Sequence, residues 1–163
     1  MRKITLIILT SVFTLTLFGQ NKFGHINKQE VFMLMPEAKN IQQELERFEA
    51  TLQNQLSSMV AEYEQQMQDY QNNESSYSDL VKQDKEAEIL GLQERIQTFN
   101  QRATTELKEK ELALIEPVES KVSDAIQKVA KEGGYTYVFE KGVLHFYNES
   151  NDLLPLVKKE LGL

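Results

Sequence analysis

The chain has 163 residues, with 18 Lys and Arg against 25 Asp and Glu, and no cysteine. That length allows one domain of ordinary size, the missing cysteines exclude disulfides, and the acidic balance argues against non-specific binding to nucleic acid. Trp is absent, Gly numbers 7 and Pro 3, a composition that suits helices better than a sandwich or barrel.

Residues 1–20 have the layout of a secretory signal peptide. Arg2 and Lys3 make a positive start, Ile4 to Phe18 run apolar apart from Thr and Ser, and Gly19 and Gln20 precede polar Asn21 and Lys22. The apolar run is short of the roughly 20 residues a membrane span needs. No stop-transfer pattern and no lipid-accepting Cys follow, so cleavage near Gly19 or Gln20 is expected. Without Arg2 and Lys3 the balance becomes 16 against 25, a net charge of −9. An exported chain without disulfides draws its stability from packing or association.

Phe23 to Asn27 reads as a short strand, and Asn27 as the cap of a helix from Lys28 to Met35. Pro36 ends that helix and suits the first turn of the next. Residues 37–116 then read as a coiled-coil helical hairpin. Its first arm carries Ile41, Leu45, Phe48, Leu52, Leu56, Met59, Tyr63, Met67 and Tyr70 at steps of 4, 3 and 4, a repeat of 11 residues. That period lies close to the helix's own, so the stripe runs nearly straight. The second arm carries Leu92, Ile96, Phe99, Ala103, Leu107 and Leu114, with Lys110 inside the stripe. Two matched arms predict an antiparallel pair. Asn and Ser between Gln71 and Asp79 weaken helix and place the tip near 71–79.

From Pro117 a helical face continues through Val118, Val122, Ala125, Ile126 and Val129 to about Lys131, where Gly133-Gly134 stops it. Whether Pro117 kinks one helix or separates two is open at this stage. Tyr135 to Glu140 reads as a strand, Lys141-Gly142 as a tight turn, and Val143 to Tyr147 as its hairpin partner. Asp152 is placed to cap a last helix ending at Leu161, with Pro155 in its first turn. The fold class expected is mainly α with a small β-sheet. The hairpin projects from a β-rich association body made of 21–36 and 117–163. Three short strands and short helices bury little apolar area, so oligomerisation through the sheets is expected, with Phe23, Ile26, Tyr135, Tyr137, Val138, Phe139, Leu144 and Phe146 as interface candidates.

Catalytic chemistry is not evident. His25 and His145 both fall in predicted strands and read as sheet residues rather than metal ligands or bases. Gly133-Gly134 lacks the rest of a phosphate-cradling motif. The many Glu residues fall mainly on solvent faces, where they keep long helices soluble. No enzyme activity, metal or cofactor is expected. The stripe itself has two readings: a seam sealed between arms, or a surface that holds an unfolded client. Toward the tip it changes from Ile, Leu and Phe to Met and Tyr, which suit adaptable contacts. The client-binding candidates are Phe48, Leu52, Leu56, Met59, Tyr63, Met67, Tyr70, Ile96 and Phe99.

The two ends carry a resemblance. Lys22 to Glu37, ending Met35-Pro36-Glu37, and Gly133 to Tyr147 followed by Asp152-Leu153 and a final helix resemble segments of the Skp/OmpH family of periplasmic chaperones, in particular of Bacteroidetes-type bacteria. The order of zones and the arm lengths agree along essentially the whole mature chain. The resemblance implies a periplasmic homotrimer. Its sheets form a shared body, and its three helical hairpins surround a cavity that holds unfolded outer-membrane β-barrel proteins without ATP. One departure stands out. The best-known family member has positively charged tentacles, whereas residues 37–116 here hold 8 Lys and Arg against 17 Asp and Glu. Binding of lipopolysaccharide or anionic membranes is therefore not carried over. The alternative function is a structural coiled-coil spacer or adaptor of the cell envelope.

Overall fold

The computed structural model describes residues 21–163; the signal peptide expected at 1–20 lies outside the described residues. The element order is β1 (Phe23–Ile26), α1 (Lys28–Leu34), α2 (Pro36–Asn73), α3 (Asp79–Glu132), β2 (Tyr137–Glu140) and α4 (Leu154–Leu161), with single 3-10 turns at Glu74–Ser76, Lys141–Val143 and Glu149–Asn151. The protein is mainly helical with a small two-stranded sheet. Two compact units are present: one holds the described residues up to Met35 and those from Glu119 onward, the other Pro36–Val118.

Local chemistry sets the helix ends. Asn27 Oδ1 accepts from Glu30 N–H at 3.1 Å and caps α1. Met35 takes an extended backbone and Pro36 opens α2. At the end of α3, Tyr135 N–H bonds back to Ala130 O and Gly134 N–H to Lys131 O. Gly134 sits at φ +65°, the left-handed position this closing motif needs. Asp152 Oδ1 accepts from Leu154 N–H at 2.8 Å at the start of α4, and Pro155 lies in its first turn. Pro117 lies inside α3, which runs unbroken through it from Asp79 to Glu132. The proline neither ends the helix nor starts a new one: an isolated missing N–H costs about 3 kcal/mol, and the long intact ladder on both sides holds the helical path.

In the first unit, β1 and β2 pair in parallel with Phe23 opposite Tyr137 and Ile26 opposite Glu140. The core is made by Ile26, Val31, Met35, Val122, Ala125, Val129, Leu153 and Val157, all buried. Gly24 lies under this core's edge. A Cβ there would clash with Leu153 Cδ1 and come within 2.9 Å of the Tyr135 ring.

The expected β-hairpin is corrected. Val143 to Tyr147 forms no strand, and the described residues contain two strands rather than three. After Glu140 the chain enters a 3-10 turn, and Lys141 Nζ reaches Asp152 at 3.3 Å and Glu149 at 3.5 Å. The Tyr147 ring turns onto the His25 ring, centroids 4.7 Å apart, and His25 Nε2–H donates to Asn148 O at 3.0 Å. The other edge of β1 is met by Leu153 N–H, which donates to His25 O at 2.9 Å, beside a bridge between His25 and Asp152. Residues 141–152 are thus pinned as a clasp instead of a ladder. Tyr135 and Thr136, expected in the strand, belong to the helix stop, with Thr136 N–H donating to Lys22 O.

Candidate functional site

The second unit places the stripe. Pairings across the arms run in opposite directions: Glu44 meets Lys110 at 2.5 Å near one end, and the Tyr70 hydroxyl donates to Glu86 at 2.5 Å near the other. The arms are therefore antiparallel, and Lys110 takes its place in the apolar stripe by pairing with the facing arm. Only Ile41, Ile89, Leu92 and Val118 are buried among the apolar residues of this unit. All nine client-binding candidates, from Phe48 to Tyr70 on α2 and Ile96 and Phe99 on α3, are half-buried.

Two hollows interrupt the seam on either side of Phe99. One, of about 180 Å³, is walled by Leu52, Leu56, Ala103 and Leu107. The other, of about 450 Å³, is walled by Met59, Gly91, Arg95 and Arg102. Apolar residues off the 11-residue stripe add further surface. Leu80, Leu90 and Leu112 are 68%, 64% and 54% exposed. They were visible in the sequence as leucines out of phase with the repeat. Ile89 extends the buried stripe of α3 one step toward the tip.

The tip is closed by polar contacts. Tyr77 donates to Asp69 Oδ2 at 3.2 Å, its ring lies 6.3 Å from that of Tyr70, and Lys82 pairs with Glu74 at 3.7 Å. The hydrogen bond to Glu86, loss of water, and the charges of Glu86 and Glu74 push the Tyr70 phenol up to about 12. Loss of water and the bond to Asp69 raise Tyr77 as well.

The first unit presents an aromatic face. Phe23 stacks on Tyr137 at 5.9 Å and lies 6.2 Å from Phe139, and all three rings are exposed. Phe146, on the clasp, is 88% exposed, and Val143 beside it is exposed too. Tyr135, Val138 and Leu144 are half-buried. Ile26 leaves the interface set: it is buried in its own core. Tyr135 serves its own chain as well, with the Lys22 ammonium 4.0 Å above its ring. Burial pulls the Lys141 ammonium down, but its bond to Asp152 and the charges of Glu149, Tyr147 and Asp152 outweigh this and raise it. His145 is exposed in the clasp rather than in a strand. Among the described residues no group of three His, Cys, Asp or Glu side chains is arranged to hold a metal, and no helix is long and apolar enough to cross a membrane.

Known proteins match this arrangement. A chaperone protein Skp of Yersinia enterocolitica is 21% identical over 140 residues, covering 86% of this chain and 85% of its own. The crystal structure of a candidate outer membrane chaperone (OmpH-like) of Caulobacter crescentus superposes with a TM-score of 0.77 at 11% identity, covering 88% of this chain and 85% of that one. That likeness shows a shared fold. The profile of the family described as outer membrane protein (OmpH-like) matches residues 22–161, and the chain belongs to that family.

Proposed function

We propose that this protein is an ATP-independent holdase chaperone of the periplasm. It binds unfolded outer-membrane β-barrel proteins in a cavity between helical hairpins, after export on a signal peptide that is removed, and works as a homotrimer joined through the β-containing unit. Membership of the OmpH-like family, with a Skp chaperone among its relatives, supports a periplasmic outer-membrane chaperone role. The observation that carries the finer reading is the stripe of half-buried Leu, Phe, Met and Tyr along both arms. A sealed spacer would bury these side chains. Left partly exposed, they offer many weak apolar contacts that do not require one particular sequence. Enclosure between hairpins keeps a client's unpaired strand edges from finding other chains.

The test is aggregation of a β-barrel protein diluted from urea, with the mature protein present and no ATP. Light scattering should stay low, and native mass measurement should find one client per trimer. Undiminished scattering across several barrel clients would reject the holdase reading and favour the spacer.

A further inference from the structure

The hairpin is acidic overall, yet its larger hollow is lined by two arginines, Arg95 and Arg102, against one glutamate, Glu94. Met59 on α2 and Phe99 on α3 supply apolar lining to the same space of about 450 Å³ that Arg95 and Arg102 border. Gly91, Arg95, Thr98 and Arg102 follow steps of 4, 3 and 4. This is the rhythm of Leu92, Ile96, Phe99 and Ala103 displaced by one residue, so Arg95 and Arg102 lie in a row alongside the seam. Arg102 is paired with Glu106 at 3.3 Å. Among the described residues no side chain pairs with Arg95. Gly91 opens the hollow further. A Cβ at that position would meet nothing within 4 Å, so packing does not require glycine there, although glycine weakens a helix relative to alanine.

We infer that this hollow is a peptide-binding site selective for an aromatic or aliphatic residue with a single carboxylate one or two residues away. The inference rests on the client-holding function proposed above and gives it a preferred segment. The apolar side chain lies on Met59 and Phe99, the former adaptable in shape, and fills the room that Gly91 leaves. The carboxylate meets the Arg95 guanidinium, whose fork matches it with two parallel hydrogen bonds. The volume falls in the range of small-ligand sites, roughly 300 to 1,000 Å³. Glu94 at the same rim sets the limit of one carboxylate, because it repels a second.

The experiment uses the full mature protein and three labelled peptides that differ only beside a central Phe-Leu pair, which is flanked by Asp, Asn or Lys. Fluorescence anisotropy should show the Asp peptide binding about five- to tenfold tighter than the Asn peptide, as one charge-assisted pair allows. Added salt should narrow the gap. Arg95→Gln should abolish it without weakening the Asn peptide, and Glu94→Gln should widen it. Gly91→Leu, which fills the hollow, should weaken both peptides while circular dichroism keeps its helical signal. Equal binding of the Asp and Asn peptides, or a gap that survives Arg95→Gln, overturns the site. Failure of all three peptides to bind overturns it too, and the scattering assay on whole barrel clients then decides separately whether the holdase function stands.

Discussion

Gly24 and Gly91 are both glycines, yet substitution at the two should change stability in opposite directions. At Gly24 an added Cβ has nowhere to go, since the Leu153 side chain and the Tyr135 ring already occupy its space. Gly24→Ala should therefore cost about 1–3 kcal/mol, the usual penalty of overpacking. At Gly91 the space is open and the backbone is helical, so Gly91→Ala should add about 0.5–1 kcal/mol. Urea midpoints of the two variants measure both, and a shift of the same sign in each would reject this account. Tyr70 makes a prediction about pH. Its phenol is raised from 10.0 to about 12 by the bond to Glu86, loss of water, and the charges of Glu86 and Glu74. The protonated form is the one the fold favours, so its contribution is complete below pH 10 and is lost as pH rises toward 12. An absorbance titration should show a late tyrosinate step that disappears in Tyr70→Phe. None of these three residues was marked by sequence for these roles. A glycine's neighbours and a hydroxyl's partner on another helix are set by tertiary contact, which spacing does not encode.

At the scale of elements, periodicity was the reliable signal. The 11-residue stripe lies along the two long helices Pro36–Asn73 and Asp79–Glu132, and the Asn- and Ser-rich stretch spans the break between them. The readings that differ are those where a local rule met a tertiary demand. Pro117 could not be read as kink or break from sequence, and α3 passes through it. The apolar and aromatic run from Val143 to Tyr147 suits a strand, but Tyr147 faces His25 and Lys141 faces Asp152, so these contacts hold the segment as a clasp. The stripe also left seam and client surface undivided, because a partly buried apolar residue suits either role. Substitution separates the two roles. Met59→Ser, Tyr63→Ser and Met67→Ser combined should weaken client capture about tenfold or more, at a few tenths to 1 kcal/mol of binding per half-exposed contact. The mass of the oligomer should stay the same. Loss of the oligomer in this variant would assign the three residues to the seam.

For the whole molecule, the question is what holds the smaller unit together. Its core is a few short side chains around Val31, Val122, Leu153 and Val157. Small cores of this kind rarely supply more than about 3–5 kcal/mol alone. The same unit exposes Phe23, Tyr137, Phe139 and Phe146. Its two-stranded sheet has β1 as β2's only partner among the described strands, and an unpaired edge beside bare aromatic rings favours association. Joining copies through this face would cover the rings and add to stability by mass action, so the unfolding midpoint should rise with protein concentration. The mature protein should sediment as a trimer at micromolar concentration. Phe139→Ser with Phe146→Ser should shift it to monomer and lower the midpoint, while the helical signal of the hairpin persists. A wild-type midpoint independent of concentration, together with a monomeric mass, would remove these rings from any self-interface. They would then be free apolar surface on the same molecule, and peptide binding at the sheet face would be the next quantity to measure.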